Sequence, residues 1–147
     1  MLAASIIRLK SRDLKQLEQL LSDNCLPQQD CAEQLQHFHG LFEAKQLIAA
    51  GAIEPAGTCG LLRSIVVDQG NRSQGLGCVI VEFLLQRARS QELEAVYLLT
   101  ETAGSYFKKF GFVVIARDQV PDTIRNTRQF DSLCPQSACC MQLNLKS

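Results

Sequence analysis

Net charge is the first thing this sequence lacks: 15 lysines and arginines balance 15 aspartates and glutamates. That balance argues against a nucleic-acid groove or a polybasic membrane surface, so neither nucleic acid nor membrane is an expected partner. No apolar run approaches the roughly 20 residues needed to span a bilayer. The first residues, Met1-Leu2-Ala3-Ala4-Ser5-Ile6-Ile7-Arg8, carry no basic stretch ahead of their short apolar run. No signal peptide is therefore expected, and a cytoplasmic location is. Low-complexity segments, internal repeats and linkers are missing too, and 46% hydrophobic residues exclude a disordered chain. What remains is 147 residues, enough for one domain whose core needs no metal or disulfide staple.

The seven cysteines lack the pattern of a framework: their number is odd and no pair has C-x-x-C spacing. Cys25, Cys31, Cys59 and Cys78 are scattered, and only Cys134, Cys139 and Cys140 cluster. Adjacent cysteines in an extended segment point to opposite faces, which suits Cys139 and Cys140 poorly to one metal. They read as reduced thiols serving as small apolar side chains, with a metal or thiol-relay site near Cys134 as the alternative. His37 and His39 would share one strand face, without a third metal ligand in view.

Apolar spacing yields the order β-α-α-β-β-β-α-β-α-β-β, a mixed α+β sheet. Ile6 to Leu9 is extended. Ser11 or Asp13 caps a helix with Leu14, Leu17, Leu20 and Leu21 on one face, and Pro27 ends that region. Cys31 to Leu35 suits a short helix. Residues 37–44 and 47–53 read as strands around a Lys45-Gln46 turn, and Pro55, Gly57 and Gly60 separate this hairpin from the strand Leu61 to Val67. Next comes a helix with Leu76, Val79, Ile80, Phe83, Leu84 and Ala88 buried and Glu82, Gln86 and Arg89 wet. Further strands are expected at Ala95 to Leu99, Phe112 to Ala116 and Ser137 to Leu145. A helix from about Thr102 to Phe110 is ended by Gly111, and a helical patch lies near Asp122 to Phe130.

The chemistry is concentrated where the strand Leu61 to Val67 runs through Arg72-Ser73-Gln74-Gly75-Leu76-Gly77 into the amphipathic helix. Such a junction presents unpaired backbone N–H groups and the positive end of the helix dipole, a pocket for phosphate or pyrophosphate. Glycines allow the anion close to the backbone, and Arg72 adds a charge. A Walker loop is absent, and a dinucleotide fingerprint fails because Ile80 occupies the place of its third small residue.

Arg72-x-x-Gly75-x-Gly77 behind a valine-rich strand, followed by Ala103-Gly104-Ser105-Tyr106-Phe107-Lys108-Lys109-Phe110-Gly111-Phe112, resembles the GNAT acetyltransferase superfamily. The resemblance spans nearly the whole chain. It implies that residues 1–147 form a single N-acetyltransferase domain of α+β class, a mixed, mostly antiparallel sheet of six to seven strands with about four helices. It implies acetyl-CoA as cosubstrate, no metal, and a monomer or homodimer. In that reading the backbone of Ile65, Val66 and Val67 pairs with the pantetheine amides, and Arg72, Ser73, Gln74, Gly75, Leu76 and Gly77 hold the pyrophosphate. Phe107 lies beside the pantetheine arm. Lys109 falls where relatives reach a CoA phosphate, a solvated lysine being the alternative. Thr100 stands where many members have an asparagine near the thioester. The usual proton-donating tyrosine is Phe107 here, which cannot donate, and Tyr106 is rotated about 100° from it on a helix.

The implied reaction is direct attack of a neutral amine on the thioester, helped by proximity and an oxyanion donor near Val66. Glu101 is the best acidic candidate for a base, with Glu43 and Glu54 weaker and water-mediated proton removal expected. By strand alternation Arg63 shares a face with Ile65 and Val67, while Leu62, Ser64 and Val66 share the other. Arg63 would hold either a substrate carboxylate or a structural Asp or Glu. Arg125 and Thr127, in the segment 124–130, offer further anion-binding groups. Leu98-Leu99-Thr100-Glu101-Thr102-Ala103 together with Leu133-Cys134-Pro135-x-Ser137-Ala138 resembles the acetyltransferases of arsenic-resistance operons. That branch implies N-acetylation of a small amino acid-like amine, such as an arsenic or phosphinic glutamate analogue. Similarity to N-acetylglutamate synthase-like domains keeps glutamate as an acceptor, and a non-catalytic acetyl-CoA-binding module is the alternative from another class.

Overall fold

A computed structural model describes residues 6–72, 74–101, 103–133 and 137–146. Its seven strands are β1 (Ile6–Arg8), β2 (Phe38–Glu43), β3 (Gln46–Ala56), β4 (Cys59–Val67), β5 (Ala95–Thr100), β6 (Val113–Ile115) and β7 (Cys139–Asn144). The helices are α1 (Leu14–Asp23), α2 (Cys31–Gln34), α3 (Leu76–Ser90), α4 (Gly104–Lys108) and α5 (Asp122–Arg125). The strands form one mixed sheet in the order β1-β2-β3-β4-β5-β7-β6. The β4–β5 pair is parallel, and the β1–β2, β2–β3, β5–β7 and β6–β7 pairs are antiparallel. Among the described residues no helix is long and apolar enough to cross a membrane.

The chain divides into two compact units, Met1–Ile53 with Ser64–Arg87 and Glu54–Arg63 with Ala88–Ser147. In the first, Leu17, Leu20 and Leu21 of α1 pack with Cys31, Phe38, Leu47, Ala50, Ala52 and Val66. Burying these side chains repays the ordering of the two short helices, which would not persist alone. α1 starts where Asp13 Oδ2 accepts the Lys10 amide at 2.8 Å. It ends in a Schellman-type turn: Cys25 takes φ +60°, a value more often met with glycine, and the Leu26 amide donates to Leu21 O at 2.9 Å.

The β2–β3 hairpin corrects the expected turn. Ala44 and Lys45, at φ +50° and +69°, make it, and Gln46 already belongs to β3. Two successive left-handed residues match a right-twisted hairpin, and neither needs to be glycine when helix contacts hold the turn. Gln16 of α1 supplies them, accepting from the Leu47 amide at 2.9 Å and donating to Lys45 O at 3.3 Å. β3 then continues through Pro55 to Ala56, so Pro55 does not end it; the reversal falls at Gly57, φ +64°, and Gly60 lies inside β4. On β3, Gly51 makes room for close packing, since a Cβ there would come within 2.5 Å of Ile65 Cδ1 and 2.9 Å of Ile80 Cγ2. α3 buries a wider stripe than the spacing suggested: Val81 and Leu85 are buried, Val79 and Phe83 half-buried.

In the second unit Ala56, Cys59, Leu61, Ala95, Tyr97, Val120, Ile124, Phe130 and Cys140 pack together. β7, last in sequence, sits between β5 and β6, with Leu99 facing Cys140 and Ile115 facing Cys140 in register. Gly111, φ +99°, closes the turn after α4 by donating to Lys108 O at 3.0 Å.

The expected pairing of His37 and His39 on one face is also corrected. His37 belongs to a 3-10 turn (Leu35–His37) ahead of β2, so only His39 is a strand residue. His39 is 6% exposed and packs on Phe83 with ring centroids 5.1 Å apart. Burial, reinforced by the positive charges of Arg87 and Arg8, lowers its pKa to about 4. The folded protein therefore prefers neutral His39, and its contribution is complete above the ordinary pKa of 6.5 and is lost as pH falls from there through about 4. Urea unfolding at pH 7 and pH 4.5 is expected to show wild-type stability falling by about 1–3 kcal/mol more than that of His39→Gln, which has no such group.

Candidate active site

The strand–loop–helix junction is built within the first unit. β4 carries a kink: Ser64 has φ +59° in the middle of an extended run. A residue in the left-handed region interrupts the pleat, so the expected alternation of Arg63 with Ile65 and Val67 does not run through it. Past Ser64, the Ile65 side chain joins Ile80 and Leu84 over Gly51 while Val66 enters the core around α1. With side chains committed to packing, what these residues offer a ligand is main chain.

After Val67 the Asp68 amide donates to Ile48 O at 2.7 Å, and a 3-10 turn (Gln69–Asn71) reverses the chain. Arg72 follows in an extended conformation. Its Nε donates to Val67 O at 3.4 Å and its Nη2 to Asn24 Oδ1, which ties the loop to the end of α1. Gly75 takes φ +77° with open space where a Cβ would stand, so glycine is there for its backbone. α3 begins at Leu76, which is buried and anchors the helix start, and the Val79 amide closes the first bond to Gly75 O at 3.2 Å. The first turn of α3 contains no acidic residue, so no carboxylate of its own offsets the positive end of this helix of 15 residues. Gln74 is exposed, Gly77 lies in the first turn of α3, and Ser73 lies outside the described residues. The arrangement can receive an anion through main-chain amides with a guanidinium alongside.

The second unit contains the remaining candidates. β4 pairs with β5 at Gly60–Val96 and Leu61–Tyr97, and among the described residues the ladder ends there. Arg63 is 2% exposed, and its Nη1 lies 3.0 Å from Glu54 Oε1. Of the two carboxylates the sequence left open for Arg63, the structure supplies an internal one. Thr100 uses Oγ1 to accept the Ala103 amide at 3.0 Å, which fixes the entry to α4. Glu101 is exposed. Phe107 is buried, edge-on to Tyr106 at 5.2 Å and Phe112 at 6.0 Å, and Lys109 Nζ sits 4.7 Å above the Tyr106 ring. Arg125 Nη2 donates to Val120 O at 2.9 Å and Asp118 O at 3.2 Å, with Asp122 Oδ1 3.3 Å from Nη1. Thr127 is buried, donating to Ile124 O at 2.7 Å while its Oγ1 accepts the Phe130 amide at 3.3 Å. Both residues thus hold their own loop together.

Tyr97 is a polar group the sequence did not single out; its hydroxyl accepts a bond from Gln142 Nε2 at 2.8 Å, and burial raises its pKa. Cys140 is buried and its thiol is pushed up to about 11 by that burial, which keeps it protonated and unreactive at neutral pH. Among the described residues no group of three or more His, Cys, Asp or Glu could hold a metal ion, and Cys134 lies outside them.

The family model for the acetyltransferase (GNAT) domain matches residues 8–128. Among solved structures, a Mycobacterium tuberculosis protein in complex with CoA superposes with a TM-score of 0.80 at 22% identity, covering 95% of this chain and 98% of that one. N-acetylglutamate synthase from Neisseria gonorrhoeae, with coenzyme A and N-acetyl-glutamate, gives a TM-score of 0.83 at 18% identity over 97% of this chain. The match spans only 35% of that synthase. The ribosomal-protein-S18-alanine N-acetyltransferase from Escherichia coli gives 0.74 at 16% identity, covering 97% of this chain and 94% of that one. At these identities the structural likenesses establish a shared fold.

The Glu54–Arg63 pair has a consequence for stability. Arg63→Ala leaves Glu54 largely buried and uncompensated and is expected to cost about 3–5 kcal/mol. The double replacement Arg63→Met with Glu54→Leu, which leaves no lone charge, is expected to cost less. Urea unfolding of the three proteins measures both.

Proposed function

The chain belongs to the acetyltransferase (GNAT) domain family, and from that membership we propose that it transfers the acetyl group of acetyl-CoA to the amino group of a small amino acid-like acceptor. N-acetyl transfer with CoA is the family's reaction class and is this chain's. The observation that carries the cosubstrate is the left-handed Gly75 at the start of an α-helix without acidic residues in its first turn, with Arg72 held beside it. In this reading Arg72, Ser73, Gln74, Gly75, Leu76 and Gly77 receive the pyrophosphate, and the main chain of Ile65 to Val67 pairs with the pantetheine amides.

The acceptor is glutamate or a phosphinic or arsenic analogue of it. Two things support this: the Leu133-Cys134-Pro135-x-Ser137-Ala138 string, and the fold shared with a synthase solved with N-acetyl-glutamate. Arg63, whose Nη1 is paired with Glu54, is the candidate for the acceptor carboxylate in this reading.

The reaction needs little from side chains. The neutral amine forms the N–C bond, the C–S bond breaks, and CoA leaves as a thiolate. The amine's surplus proton passes to water, and a strand amide near Val66 donates to the developing oxyanion. Phe107 takes no part in proton transfer.

Two measurements test the proposal. Free-thiol release from acetyl-CoA is expected with L-glutamate or its phosphinic and arsenic analogues, and not with a peptide beginning in alanine. Tight acetyl-CoA binding without turnover on any amine would instead favour the non-catalytic module. Arg72→Ala is expected to raise KM for acetyl-CoA by about 10-fold or more, the worth of a charge-assisted bond, with kcat within about twofold.

A further inference from the structure

Arg72 is exposed, yet its guanidinium is not loose. The Nε and Nη2 donors form one edge of the planar group, and that edge is used inside the protein, on Val67 O and Asn24 Oδ1. Among the described residues no other hydrogen-bond partner of Arg72 is present. The opposite fork, made by Nη1 and the second proton of Nη2, is the geometry that binds a phosphate through two parallel bonds.

Asn24 is itself held. It is the C-cap residue of α1, and its Nδ2 donates to Leu20 O at 2.8 Å. That bond leaves Oδ1 as the atom available to accept from Arg72. The amide therefore performs two tasks with its two ends: one closes α1, the other grips the guanidinium. The left-handed Cys25 and the Leu26 amide bond to Leu21 O fix the backbone just beyond. A lysine at 72 would carry the same charge but could not be gripped along an edge.

We propose that Asn24 is a positioning residue for the cosubstrate: by holding one edge of Arg72 it presents the other fork to the pyrophosphate of CoA. This rests on the reading of the 72–77 loop as the pyrophosphate site. The gain is preorganisation, because an arginine already fixed loses less side-chain freedom when the anion arrives.

The test is a double-mutant cycle on the full chain, with CoA affinity measured by calorimetry and melting temperature recorded for every variant. Asn24→Ala is expected to weaken CoA binding by about 5–10-fold and to raise KM for acetyl-CoA equally, with kcat within about twofold. In an Arg72→Ala or Arg72→Lys background the same change is expected to have no further effect. Asn24→Gly, whose backbone suits a helix end, provides a second variant if the alanine protein is poorly folded, with the same expected loss. Affinity unchanged in both Asn24 variants would overturn the proposal. So would an equal loss with and without Arg72, which would mark a structural effect at the end of α1. Failure of the wild type to bind CoA at all would overturn the functional reading and this inference together.

Discussion

One backbone constraint governs the site: Ser64 lies in the left-handed region in the middle of β4. Such a conformation costs a non-glycine residue roughly 1–2 kcal/mol and persists only where the surroundings over-determine it. Here they do so from both directions along the chain. Before Ser64, β4 is held to β5 by the pairs at Gly60 and Leu61, and Arg63 is locked to Glu54. After it, Ile65 and Val66 enter packing on opposite faces of the strand and Asp68 is tied to Ile48 O. The boundary between the two compact units falls at the same residue. The strand that leaves this kink is the one that delivers the chain to the 72–77 loop, so the placement of Gly75 and the start of α3 depends on it.

The absence of net charge makes the environment of each cation decisive. Arg63 is engaged by Glu54, Arg125 by the carbonyls of Asp118 and Val120, Arg117 by Ala138 O and the face of Phe130. Lys109 rests on Tyr106. These groups stabilise loops and strand ends, and a count of positive residues would rank them equally with Arg72. Arg72 is distinguished by its place: among the described residues its guanidinium is held along one edge, beside helix amides that carry partial positive charge of their own.

What was legible in the sequence was local. The leucines of α1, the valine-rich strand, the glycine turn and the Gly111 stop follow from spacing and backbone preference within a few residues. What was not legible depended on partners far away in sequence. Ala44 and Lys45 adopt a turn usually marked by glycine because Gln16 holds it. Pro55 remains in β3 because the turn geometry is satisfied at Gly57 instead. The alternation through Arg63 failed at Ser64, a residue whose type gives no sign of positive φ. Asn24 was not singled out, and its bond to a residue 48 positions later had no signature. At the candidate site the motif marked the loop, while the groups that hold its arginine came from tertiary structure.

The position of β7 bears on the order in which the protein is made. β5 and β6 are not neighbours in the sheet; each pairs with β7, which follows both in the chain. As synthesis proceeds, α4, β6 and α5 emerge before the strand that gives β6 its partner, so an exposed strand edge persists through that interval. The first unit has all its residues once Arg87 is made. Translation therefore completes the residues of the first unit while the second still waits for the strand that joins β5 to β6.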